Sequence, residues 1–130
     1  MPVAEPTFAD NAVVADVMLR DPKTLPGDAR VADVRAALAN PKVQMVLLAD
    51  GPTFRGAVTE LPPDASASAP ALEFAEPSPD TIGPTESAAT AYALTAKNPK
   101  LRVVVLDENG RLVGLLCLNA TRTHFCGAAG

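Results

Sequence analysis

Apolar positions along the chain change their spacing in a regular order. Val14, Val17 and Met18 stand at i, i+3 and i+4, the spacing of a short amphipathic helical turn, and Asp21-Pro22 stops it. Lys23-Thr24-Leu25 is a short extended piece closed by Pro26-Gly27. Asp28 is placed to cap a helix carrying Val31, Val34 and Leu38 on one face, and Asn40-Pro41 ends it. Val43 to Leu48, Gln44 aside, is an apolar run of the kind expected for a strand buried on both faces. Asp50-Gly51-Pro52 turns the chain, and Phe54 to Thr59 returns as a second strand.

The order then recurs. Asn40-Pro41-Lys42 reappears as Asn98-Pro99-Lys100, an offset of 58 positions, and Gly56-Ala57-Val58 falls on Gly114-Leu115-Leu116 at the same offset. Earlier in each half the offset is 57, with Pro22-Lys23-Thr24-Leu25 on Pro79-Asp80-Thr81-Ile82. A one-residue insertion in the intervening helix reconciles the two. Thr81-Ile82 is the short strand of the second half, and Thr85 is placed to cap a helix through Ala88, Ala91, Tyr92 and Thr95 to Lys97. Leu101 to Leu106 and Arg111 to Leu118 are its strand pair. Asn109-Gly110 between them signals a two-residue hairpin with φ > 0 at both positions. Each half therefore reads β-α-β-β, with room for a short helix after it. The Pro-, Ala- and Ser-rich stretch 62–80 carries Leu72, Phe74 and Ala75 as apolar anchors, which predicts a short helix and an ordered crossover. The expected division is an N-terminal tail 1–12, a first repeat 13–66, a linker helix and second repeat 67–122, and a C-terminal tail 123–130.

Composition narrows the function. Among 130 residues, 11 Lys and Arg face 15 Asp and Glu, a net charge of −4. That balance argues against duplex DNA or an anionic membrane as partner. With no Trp and one Tyr, stacking on single-stranded bases is poorly supplied. No apolar run reaches the ~18 residues of a membrane span, and the first residues lack the basic and apolar parts of a signal peptide, so the cytoplasm is expected. Cys117 and Cys126 then read as free thiols rather than a disulfide. Together with His124, the one histidine, they do not have the spacing of a structural zinc site. No nucleophile–base pair stands out, so neither catalytic nor metal-binding residues are expected.

Two β-α-β-β-α units in series resemble a tandem pair of CBS domains, the module named after cystathionine β-synthase. The residues that carry the likeness are Val14-Ala15-Asp16-Val17-Met18, Asp21-Pro22 and Val31-Ala32-Asp33-Val34. The hairpins Ala49-Asp50-Gly51 to Thr59 and Leu106-Asp107-Glu108-Asn109-Gly110-Arg111-Leu112-Val113-Gly114 add to it. The resemblance spans residues 13 to 122. It implies an α+β fold of two repeats packed about a pseudo-twofold axis, with two clefts between them. It also implies a non-catalytic regulatory module that acts as a homodimer on an unknown regulated protein. AMP, ADP, ATP or S-adenosylmethionine would be its ligand, with no required cofactor.

In the family, a glycine near the end of the last strand is followed three residues on by Thr or Ser and three further by an Asp that binds the ribose. In the first half Gly56 and Thr59 match, Pro62 stands at the acid position, and Asp64 follows two residues later. In the second, Cys117 holds the Thr position and Ala120 the acid position, with Asn119 beside it. Thr24-Leu25 and Thr81-Ile82 lie on the short strands that border the family's clefts. The expected ligand contacts are therefore Thr24, Leu25, Thr59, Asp64, Thr81, Ile82, Cys117 and Asn119. The missing acids motivate an alternative, a ligand-free dimerisation or protein-interaction module.

Overall fold

The computed structural model describes residues 12–20, 22–41, 43–76, 79–119 and 125. The tetrapeptide Val-Ala-Asp-Val occurs at 14–17 and 31–34 and opens a helix each time. Helix α1 is Val14–Val17 and α2 is Val31–Leu38. In both, the aspartate turns back to the amide just before the helix. Val13 N–H donates to Asp16 Oδ2 at 2.9 Å, and Arg30 N–H donates to Asp33 Oδ2 at 3.0 Å. Each bond satisfies an end amide and places negative charge at the helix N-terminus.

Neither expected N-cap holds. Asp28 falls in a turn closed by Ala29 N–H to Pro26 O at 3.0 Å, so Arg30 takes the cap position of α2. Thr85 likewise falls in a turn, with Glu86 N–H on Gly83 O at 3.3 Å. Ser87 caps α3, Ala88–Lys97, by accepting from Thr90 N–H at 3.1 Å. The strands are β1 Leu19–Arg20, β2 Thr24–Leu25, β3 Val46–Asp50, β4 Thr53–Val58, β5 Thr81–Ile82, β6 Arg102–Leu106 and β7 Leu112–Cys117. A 3-10 turn, Ala71–Phe74, supplies the expected short helix of the crossover.

The chain forms two compact units. One is contiguous, Lys23–Pro79. Its sheet has the order β2-β3-β4, with β2 parallel and β4 antiparallel to β3. Val46, Leu47, Leu48 and Ala49 are all buried, as expected for a strand covered on both faces. Val34, Val46, Leu48, Val58 and Ala71 form the core. Arg35, half-buried on α2, clasps the loop beyond β4. Its Nη2 donates to the carbonyls of Pro62, Pro63 and Ala65 at 3.1, 3.2 and 2.8 Å. Bonds from a charged donor are worth about 1.5–3 kcal/mol net. Arg35→Ala should therefore lower stability by roughly that amount in urea denaturation, and Arg35→Lys should recover only part, lacking the planar fork. An unchanged midpoint would mean that the clasp contributes nothing.

The other unit joins the chain's opening, through Pro22, to the stretch from Asp80 onward. Its sheet order is β1-β7-β6-β5. β1 pairs antiparallel with β7 through Leu19↔Leu115 and Arg20↔Gly114. The core contains Val14, Ile82, Ala91, Val103, Val105, Leu116, Leu118 and Phe125. Thr95 is fully buried among apolar neighbours, and its hydroxyl donates to Ala91 O at 2.7 Å, one helical turn back.

The β6–β7 hairpin differs from the expected two-residue form. Of Asn109 and Gly110, Gly110 alone has positive φ, at 76°. The Asp107 carboxylate accepts from Asn109 N–H and Arg111 N–H, both at 2.9 Å, and Gly110 N–H donates to Asp107 O at 3.0 Å. These bonds select a three-residue loop in which only the last position is left-handed.

Each compact unit draws residues from both sequence repeats, 13–66 and 67–122. The segment α1–β1 packs on β7, and the 3-10 turn 57 positions later packs on β4. The matching bridges Val13↔Ser87 and Pro70↔Arg30 introduce the two segments. In each case the opening stretch of one repeat lies against the strand pair of the other. Two glycines leave room for it. A Cβ on Gly56 would stand 3.0 Å from Ala75 Cβ, and one on Gly114 would overlap Met18 Sδ. No described helix is long and apolar enough to cross a membrane.

Candidate functional site

The same register places the short strands in both units. Thr24 pairs with Leu47 and Leu25 with Leu48, while Thr81 pairs with Val104 and Ile82 with Val105. β2 and β5 each end their sheet. An edge strand leaves the backbone groups of its outer side outside the hydrogen-bond ladder, where a planar heterocycle with donors and acceptors can meet them. Thr24 and Thr81 are exposed, Leu25 is half-buried, and Ile82 is buried in the core.

The remaining candidates lie where the last strand of each pair ends. Val58 pairs with Val46, so Thr59 follows at the end of the sheet where β3 begins. Thr24 and Thr59 thus share one end of the three-stranded sheet, on its two outer strands. Two interstrand spacings, about 10 Å, separate these strands. In the other unit Cys117 pairs with Arg102, and Thr81 and Cys117 share the corresponding end of β5-β6-β7.

The chemistry at these two ends differs. Thr59 is half-buried, and its hydroxyl donates to Glu76 Oε1. Glu76 is held there by its own amide, which donates to Ala57 O at 2.7 Å. Nothing in the residue pattern singles out Glu76, because the contact arises only when the 3-10 turn docks on β4. Asp64 is exposed on the turn that Arg35 clasps, closed by Ala65 N–H to Pro62 O at 3.1 Å.

In the other unit Cys117 is buried and disulfide-bonded, so the expectation of free thiols is corrected. Leu118, the next residue, is bridged antiparallel to Phe125. Asn119 is half-buried. His124 and Cys126 lie outside the described residues. Among the described residues, no three His, Cys, Asp or Glu side chains gather to hold a metal. Beside Cys117, the half-buried Arg102 guanidinium donates from Nη1 to the carbonyls of Lys100, Leu101 and Leu118 at 3.2, 3.1 and 3.3 Å. Loss of hydration lowers its pKa from the usual arginine value. These bonds brace a corner in which Leu101 adopts φ 56°.

Comparison with known proteins bears on the fold. The CBS domain family model matches residues 72–119. No curated protein matches the chain. Among solved structures, the CBS-pair protein CBSX2 from Arabidopsis thaliana is similar at a TM-score of 0.70 and 20% identity. That match covers 82% of this chain and 89% of the other. A CBS domain protein from Pyrobaculum aerophilum, complexed with AMP, is similar at 0.67 and 25% identity, covering 81% and 86%. The CBS domain of a bacterial CNNM/CorC family Mg2+ transporter, in complex with ATP, is similar at 0.64 and 14% identity, covering 82% and 81%. Residues 72–119 are similar to the CBS domain family, and the chain has the mixed α+β fold of the CBS-pair structures.

Proposed function

We propose that the chain is a non-catalytic regulatory module that binds an adenosine-bearing ligand at the sheet ends marked by Thr24, Thr59, Thr81 and their neighbours. Its ligand state is read out through a homodimer. The observation that carries this reading is the double occurrence of one arrangement, an exposed threonine on a parallel edge strand at the end where the last strand stops. The AMP and ATP held by similar structures support the ligand class. In the first unit Glu76 supplies the acceptor for ribose hydroxyls that Pro62 cannot, since it already accepts from Thr59. A carboxylate there favours the nucleoside part over a phosphate, which it repels.

The test is a thermal-shift panel of AMP, ADP, ATP, NAD and S-adenosylmethionine. A ligand at 100 times its Kd should stabilise the protein by about 2.7 kcal/mol. Glu76→Gln should weaken that ligand about tenfold, since one charge-assisted bond is worth about 1.4 kcal/mol or more. Melting curves that stay flat at millimolar ligand would rule the reading out.

A second reading, a ligand-free dimerisation or docking module, is favoured by the disulfide at Cys117, which occupies the sulfur of one candidate contact. It expects a dimer by light scattering without added ligand and no response to the panel.

A further inference from the structure

We propose that the two sheet ends are unequal. The β2 end takes a 5′-phosphorylated adenosine, with Lys23 on its phosphate, and the β5 end does not hold that phosphate. The inference rests on the adenosine-bearing ligand of the proposed function and adds its charge and its place. At the 57-position offset, Lys23 before Thr24 corresponds to Asp80 before Thr81. Thr24 lies opposite Leu47 and Thr81 opposite Val104, so the two side chains start from matching points on parallel edge strands. Both are exposed, and their charges are opposite.

The β2 end has two poles. On its β4 side Thr59 donates to Glu76, and the exposed Glu60 follows Thr59. On its β2 side, two interstrand spacings or about 10 Å away, Lys23 brings an ammonium group. A nucleoside monophosphate fits that polarity. The 2′- and 3′-hydroxyls leave one edge of the sugar, and the base and 5′-phosphate leave the opposite edge. Hydroxyls that donate to Glu76 therefore send base and phosphate toward β2. There the base meets the outer backbone of Thr24, and the phosphate comes within reach of the flexible stem of Lys23. The reverse orientation would set the phosphate against carboxylates, which repel it.

The β5 end is built differently. The Asp80 carboxylate accepts from Asn98 Nδ2 at 3.0 Å, and its carbonyl accepts from Val104 N–H at 3.1 Å. Asn98 is held in turn, its Oδ1 accepting from Lys100 N–H at 2.9 Å. A fixed negative charge thus stands where the other unit has its ammonium. At the same end Arg102 directs Nη1 to three backbone carbonyls, and the sulfur of Cys117 is taken up in a disulfide.

Isothermal titration calorimetry of the full chain with AMP and with adenosine tests the assignment. The wild-type protein should bind one AMP per chain. It should prefer AMP to adenosine about fivefold to tenfold, as a charge-assisted bond at an exposed site allows. Lys23→Gln should abolish the preference and leave the affinity for adenosine unchanged, while Lys23→Arg should keep the preference. Added salt should weaken AMP and spare adenosine. Two AMP per chain, equal affinities in the wild type, or a preference that survives Lys23→Gln would overturn the role of Lys23 and leave adenosine binding standing. Protein that binds neither compound would overturn the adenosine reading and this inference with it.

Discussion

Gly114→Val should destabilise the chain by about 2–3 kcal/mol, as overpacking of a filled site does. Gly114 sits in β7 opposite both Arg20 and Val105. A Cβ there would overlap Met18 Sδ, stand 2.9 Å from Met18 Cγ and come within 3.0 Å of the Leu19 carbonyl oxygen. The methionine can swing aside, but the backbone oxygen cannot move without pulling β1 off β7. Any such shift also draws the fully buried Val14 toward water, at about 1.5–3 kcal/mol for complete exposure. Gly56→Val is the matched control, because its Cβ would meet only side chains, Ala75 Cβ at 3.0 Å and Leu72 Cδ2 at 3.3 Å. It should cost less, about 1 kcal/mol. Urea denaturation decides between them. Equal losses would mean that β1 does not depend on the bare backbone at Gly114.

The other large effect is expected in the cores. Leu48 in β3 and Leu116 in β7 have 0% exposure. Truncating either to alanine removes buried methyl groups and leaves a cavity that stiff strand neighbours cannot fill, at a cost of about 2–5 kcal/mol. A domain of this size has about 5–15 kcal/mol in total, so Leu48→Ala or Leu116→Ala alone removes a large share. Glu108→Ala, on the exposed hairpin loop, should stay within about 0.5 kcal/mol of the parent. Denaturant midpoints of the three variants check this, and a Leu116→Ala protein as stable as Glu108→Ala would contradict the assigned core.

How much of this was legible from residues alone depends on how local each cause is. The paired strands and the 57- and 58-position repeat follow from apolar runs and turn residues, and they recur at β3–β4 and β6–β7. The parallel placement of Thr24 and Thr81 follows from that repeat. β1 was not visible, because Leu19-Arg20 becomes a strand only beside Leu115 and Gly114, far along the chain. The caps were displaced by two residues because turns closed on Pro26 and Gly83 occupy the positions before α2 and α3. Glu76 carries no local signal, since docking of the 3-10 turn alone brings it to Thr59. Free thiols follow from an expected cytoplasm, whereas Cys117 is disulfide-bonded, a state that no local pattern in an apolar strand announces.

The packing of α1–β1 on β7 also sets an order of events on the ribosome. The contiguous unit has all of its residues once Pro79 has emerged, and it can fold while the rest is still being made. Leu19 emerges ahead of that unit, yet its partner Leu115 comes 96 residues later. At about 5–20 residues per second, that stretch waits roughly 5–20 s with its apolar side chains unpaired. Contacts this distant in sequence also slow the final closure. A segment made before the contiguous unit thus finds its place only after it. Its exposed Val14, Val17 and Met18 are where a trigger-type chaperone or a wrongly paired neighbouring chain would first take hold.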